Sequence, residues 1–170
     1  VNNGTVTPPA FIIAMSAISH SGRFSDNKTH LSPLDKLSLK YSENTVLLVL
    51  PADHVIKDVD AFHASIKIAS IQAQEGKLAT FGIVPKDANT GYGYIKSSKN
   101  ISNGGHKVLE FVEKPDPETA KVYFEQGNYL WNSGMFMFKP DVLIDELTIH
   151  SPNIVMSAND AVNNAKQDLD

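Results

Sequence analysis

The apolar positions fall into short runs separated by polar segments marked with Gly and Pro. Thr45 to Leu50 reads TVLLVL and is stopped by Pro51. A compact apolar run without alternation predicts a strand buried on both faces. From Asp58 to Gly76 the period changes. Phe62, Ile66, Ala69 and Ala73 fall on one helical face, and Gly76 stands where a helix C-terminus takes glycine. Leu78 to Val84 is again a strand. Strand, helix and strand with short links make a βαβ unit, so this pattern predicts a parallel sheet and an α/β fold.

The flanking segments are read the same way. Thr7-Pro8-Pro9 opens an apolar run, Ala10 to Ile18, with a helix-start signal. Ser19 to Ser32 reads as a surface loop and Pro33 to Tyr41 as a short helix. Pro85 to Gly93 is a loop. Tyr94 to Ser97 and Lys107 to Glu113 are strands separated by a turn-rich segment with Asn103-Gly104-Gly105. Asp116 and Pro117 supply N-cap and first turn for a helix to Gln126, ended by Gly127-Asn128. A strand lies within Leu130 to Phe138. Helices begin at Pro140 and at Ser151-Pro152, and the chain trails into a polar tail. No internal repeat or domain boundary stands out.

Composition narrows the function classes. The 170 residues are 42% hydrophobic and 20% charged, ordinary for a globular domain with its own core. The net charge of −4 argues against non-specific nucleic-acid binding. A nucleotide ligand stays open, because a metal ion can supply positive charge locally. Cysteine is absent, which excludes disulfides, Cys-ligated zinc and a thiol nucleophile, and fits a reducing, cytoplasmic setting. No apolar run is long enough for a transmembrane helix, and the start lacks the features of a signal peptide. The first residue is Val1, not Met, so the chain reads as cut from something longer.

Four segments could carry chemistry, each with a plain alternative. Asp53, in Pro51-Ala52-Asp53-His54, sits three residues past a strand, where open parallel sheets bind ligands. Its carboxylate could hold Mg²⁺ or simply cap a turn. His54 and the other five His form no pair at metal-ligand spacing. In Asn89-Thr90-Gly91-Tyr92-Gly93-Tyr94, glycines permit close backbone approach and tyrosines offer a ring face and a hydroxyl, as a sugar would use. An ordinary glycine turn explains it equally well. Glu113 and Lys114, before Pro115, are either a solvated ion pair or a pair in which Lys114 meets phosphate and Glu113 accepts sugar hydroxyls. Asn132-Ser133-Gly134 interrupts an apolar stretch beside Trp131, the only Trp. Either a bulge or a ligand satisfies Asn132.

Order and wording together say more than any segment. LVLPADHVI (48–56), TFGIVP (80–85), NTGYGYI (89–95), FVEKP (111–115) and YLWNSGMFMF (129–138) closely resemble the bacterial mannose-1-phosphate guanylyltransferases, within the wider nucleoside-diphosphate-sugar pyrophosphorylases. The resemblance covers roughly residues 45 to 150. It implies a Rossmann-like nucleotidyltransferase domain, a mostly parallel mixed sheet flanked by helices, with residues 1–170 forming part of that domain. It implies that mannose 1-phosphate and GTP give GDP-mannose, a precursor of surface polysaccharides, and pyrophosphate. Asp53 would bind Mg²⁺, Gly91 and Tyr92 would line the sugar pocket, and Glu113 would hold sugar hydroxyls. Lys114 would bind the sugar phosphate, and Asn132 would contact the sugar on a turn shaped by Ser133 and Gly134. The attacking phosphate oxygen is already ionised at neutral pH. Charge neutralisation and positioning, not a general base, are what such chemistry needs.

The chain departs from the family pattern near its ends. The family's Gly-rich loop with Arg and Lys has no counterpart, and its second metal-binding Asp would lie past Asp170. Val6 stands where the family has Asn. The 170-residue chain alone is therefore expected to be inactive. Competing expectations are the same reaction with glucose 1-phosphate and UTP or dTTP, and a non-catalytic sugar-phosphate-binding module. The oligomeric state, homo-oligomer included, is left open.

Overall fold

A computed structural model of the chain describes residues 11–15, 45–102 and 104–164. The expected loop at 19–32 and short helix at 33–41 lie outside them. In chain order the elements are β1 (Phe11–Met15), β2 (Leu47–Val49), α1 (Val59–Gln74), β3 (Leu78–Ile83), β4 (Tyr94–Ser102) and β5 (Gly105–Val112). They continue with α2 (Pro117–Gln126), β6 (Tyr129–Phe138), α3 (Pro140–His150) and α4 (Pro152–Asn163).

The strands form one sheet in the order β2-β6-β3-β1-β5-β4. Here the expected mostly parallel sheet is corrected. Among the described residues only β1 and β5 pair in parallel; every other pairing is antiparallel. β2 and β3 do run in the same direction, as a βαβ unit requires. They are not hydrogen-bonded to each other, because β6 occupies the slot between them and runs opposite to both. The sheet also closes on itself, since Tyr94, Ile95 and Lys96 of β4 pair with Trp131, Leu130 and Tyr129 of β6.

A second correction concerns the N-terminal apolar run. Phe11–Met15 is a strand, not a helix. Its aromatic and β-branched residues suit a pleated neighbourhood, and it pairs from Phe11↔Gly82 to Met15↔Leu78 with β3.

Local signals explain the helices. Asp58 caps α1 by accepting from the Ala61 amide at 2.9 Å. Asp116 caps α2 by accepting from the Glu118 and Thr119 amides at 3.0 and 2.9 Å, with Pro117 in the first turn and Gly127 closing the end in the left-handed conformation. The main core lies where α1 crosses the sheet. Ala69 and Ala73, fully buried, meet Phe81, Met135 and Met137, with Phe62 and Ile66 packed alongside. Small residues on α1 let the helix approach closely, and burying a side chain the size of Phe81 stabilises by ~1.5–3 kcal/mol. A second cluster ties α2 to the sheet through Tyr94, Ala120 and Tyr129, with Tyr123 stacked on Tyr129 at 3.9 Å between centroids.

Candidate functional site

The four segments singled out in the sequence meet along one rim of this sheet. β2, β3 and β5 end there, β4 begins there, and β6 passes through it. The centre is a bulge in β6. Gly82 pairs with Asn132, yet Thr80 pairs with Phe136, so Phe81 alone spans Ser133, Gly134 and Met135. Gly134 takes φ +72°, a backbone conformation that a side chain disfavours. The Ser133 hydroxyl accepts from the Met135 amide at 3.2 Å.

Asn132 is held on several sides. Its backbone amide donates to the Gly93 carbonyl at 2.7 Å. Its Oδ1 accepts from the Gly134 amide at 3.3 Å and lies 3.0 Å from the Thr80 hydroxyl. Of the two readings of this polar segment, the bulge accounts for the side-chain oxygen. No residue among those described accepts from the side-chain nitrogen.

Contacts run outward from Asn132 in two directions. On one side, a Cβ placed on Gly134 would sit 3.5 Å from Pro51, so Pro51 lies against the bulge. Asp53 stands exposed in the turn that follows Pro51, and His54 is exposed beside it. On the other side is Gly93, which is buried. A Cβ there would come within 2.7 Å of Glu113 Oε2 and within 3.5 Å of Asn132 and Phe111. Only a residue without a side chain lets the Glu113 carboxylate rest against this backbone.

Glu113 and Lys114 form an ion pair at 3.5 Å with side chains 60% and 65% exposed, so the pair contributes little to stability. Lys114 is held at φ +44°, the one non-glycine in the left-handed region among the described residues. Backbone strain of this kind concentrates where a chain positions functional groups.

Gly91 and Tyr92 lie in the loop before β4. The Gly91 amide donates to Asn89 Oδ1 at 2.8 Å, and the Tyr94 hydroxyl donates to the Asn89 carbonyl at 2.8 Å, which fixes the loop to the strand. Tyr92 is half exposed and lays its ring on Trp131. The Trp131 indole N–H is buried with no hydrogen-bond partner among the described residues.

The structure thus brings Asn132, Ser133, Gly134 and Glu113 to one place, with Asp53 and Lys114 joined to it through their chain neighbours. No hydrogen bond or ion pair among the described residues links Asp53 to Glu113 or Lys114. Gly91's contact is local to its own loop. Three participants are not evident from the sequence. Gly93 stands within a glycine-rich motif with no signal of its own. Thr80 carries a faint signal as the polar residue of LATFGI. Trp131 is conspicuous there only as the sole Trp.

As to a metal, no group of three His, Cys, Asp or Glu among the described residues could enclose one. Asp53 can offer a single oxygen ligand. That fits Mg²⁺, which takes one or two carboxylates and completes its shell with phosphate and water. No helix among the described residues is long and apolar enough to cross a membrane.

Glycine-lined polar groups thus gather on the rim of an α/β sheet, beyond the strand ends where such folds bind ligands. The nucleotidyl transferase family model matches residues 31–170, and the chain belongs to that family. Within it, the chain is 50% identical over 125 residues to the mannose-1-phosphate guanylyltransferase RfbM of Salmonella typhimurium. That match covers 74% of this chain and 26% of the relative, so the chain spans about a quarter of the length of this curated relative. Two crystal structures are similar in fold. One, described as a mannose-6-phosphate isomerase from Helicobacter pylori, has a TM-score of 0.68 and 33% identity, covering 82% of this chain and 54% of that one. The other, described as a mannose-1-phosphate geranyltransferase from Thermus thermophilus, has a TM-score of 0.67 and 28% identity, covering 84% and 43%.

Proposed function

We propose that this chain carries the sugar-phosphate half of the active site of a mannose-1-phosphate guanylyltransferase. The observation that carries the reading is the unbroken run of contacts from Pro51 through Gly134, Asn132 and Gly93 to Glu113. It gathers sequence motifs about 60 residues apart onto one rim. The 50% identity to RfbM supports the choice of mannose 1-phosphate and GTP as substrates.

In this reading Glu113 accepts hydrogen bonds from sugar hydroxyls and Asn132 donates one. Gly91 and Tyr92 line the pocket, and Ser133 and Gly134 hold the bulge in shape. Lys114 meets the sugar phosphate as a point charge. A phosphate oxygen of the sugar phosphate forms a bond to the α-phosphorus of GTP, and the bond to pyrophosphate breaks. The oxygen is ionised at neutral pH, so no residue has to remove a proton. Repulsion between two polyanions is the obstacle, and Lys114 lowers it. Mg²⁺, held in part by Asp53, would supply further positive charge beside the phosphates.

The test is calorimetric titration of the chain with mannose 1-phosphate, beside Lys114→Ala and Asn132→Ala. Each substitution is expected to weaken binding by about tenfold or more. Wild-type affinity in both variants, or no binding at millimolar ligand, would sink the reading. Glucose 1-phosphate in the same titration distinguishes the sugar.

A further inference from the structure

Thr80 is the one polar side chain of β3, and it is fully buried. Its hydroxyl has one proton to give. It stands 3.0 Å from Asn132 Oδ1 and 3.1 Å from the Met135 carbonyl, one acceptor at each end of the bulge. The Gly134 amide, 3.3 Å away, also points at Oδ1. An amide group turned over would set its NH₂ against the Gly134 N–H, donor against donor. The Gly134 amide therefore sets which way the Asn132 amide faces, and Thr80 anchors it there. With the backbone of Asn132 tied to the Gly93 carbonyl, only the NH₂ end is left over, and it can only donate.

We infer that Thr80 is a positioning residue for ligand recognition: by holding the Asn132 oxygen inward, it makes the site demand a hydrogen-bond acceptor at that point. That acceptor is a hydroxyl or phosphate oxygen of the bound sugar phosphate. This deepens the sugar-phosphate reading and rests on it for the ligand. The orientation of Asn132 stands without it. A serine keeps the hydroxyl and loses a methyl. A valine keeps the shape and loses the hydroxyl, leaving the Met135 carbonyl and Asn132 Oδ1 without their shared donor. Part of that loss is structural, so stability alone does not report on positioning.

The experiment compares the chain with Thr80→Val and Thr80→Ser, using mannose 1-phosphate as the probe. Thr80→Val is expected to weaken binding by about tenfold, and Thr80→Ser to stay within about twofold of wild type. Without ligand, the side-chain NH₂ signals of Asn132 in a ¹⁵N-asparagine-labelled chain should shift or broaden in Thr80→Val and return in Thr80→Ser. In the wild-type chain, which needs no variant to fold, the same signals should move when the ligand is added. Signals and affinity unchanged in Thr80→Val overturn the inference, as do wild-type signals that stay put while ligand binds. A wild-type chain that binds nothing removes the sugar-phosphate reading instead. The ligand-free signals then decide whether Thr80 orients Asn132.

Discussion

The Tyr92 ring sits 4.9 Å from the indole of Trp131, with the two planes inclined at 45°. Tyr92 packs against a ring whose buried N–H has no hydrogen-bond partner among the described residues. Trp131 is the only tryptophan in the chain, so tryptophan fluorescence reports on the surroundings of this one ring. Mannose 1-phosphate is expected to change the emission of the wild-type chain. Tyr92→Ala should shift the ligand-free emission to the red, because water then reaches the indole. Identical emission and identical ligand response in both proteins would rule out Tyr92 as the cover of this pocket.

Gly93 should tolerate alanine as a fold and fail as a site. The added Cβ would lie 2.7 Å from Glu113 Oε2, while its contacts to Asn132 and Phe111 are ordinary. Glu113 is mostly exposed and can swing aside, so folding stability should change by no more than ~0.5 kcal/mol. Affinity for mannose 1-phosphate should fall by about tenfold. Gly91→Ala, which meets only Asn89 of its own loop, is the milder comparison. Urea denaturation and calorimetry on both variants separate the two effects.

Lys114 carries two costs that can be separated. Its charge matters to the proposed phosphate contact, and its φ of +44° matters to the fold. Lys114→Ala and Lys114→Gly both remove the charge, and both should lose affinity. Glycine alone relieves the left-handed backbone, so Lys114→Gly should be the more stable of the two by ~1 kcal/mol. Equal urea midpoints for the two variants would show that Lys114 is unstrained.

Tyr129 should set an alkaline limit. Burial, reinforced by the 3.0 Å hydrogen bond to Glu110, pushes its phenol well above the ordinary 10.0. The folded state then holds the proton when the unfolded chain has released it. Stability from the neutral phenol is complete below pH 10.0 and falls as pH rises past that value. Thermal melts from about pH 9 to about pH 11 should fall more steeply for wild type than for Tyr129→Phe. Parallel slopes would mean that the phenol ionises freely in the folded chain.

Where a structural feature depends on neighbours in sequence, it is legible there. Asp116 caps α2 as expected, Pro117 and Gly127 bound it, and Phe62, Ile66, Ala69 and Ala73 face the core. The order of the motifs alone points to the rim of the site. What stays hidden is non-local. Nothing in Leu47–Val49 or Leu78–Ile83 says that β6, some 50 residues later, will take the place between them. The Phe11–Met15 run is too short for its period to tell strand from helix. The grip of Thr80 on Asn132 joins β3 to β6 across 52 positions, which no spacing along the chain encodes.

The β6 bulge also limits how the chain can vary. Across it, the pairing partners shift by two residues, from Gly82↔Asn132 to Thr80↔Phe136. Because side chains alternate with a period of two, an insertion of two leaves every residue on its original face. A one-residue deletion within Ser133-Gly134 would turn Met135 and Met137 away from α1 unless a one-residue bulge took up the difference. A change of two residues at this turn therefore keeps both halves of β6 in phase, whereas a change of one has to be taken up by a bulge of another kind.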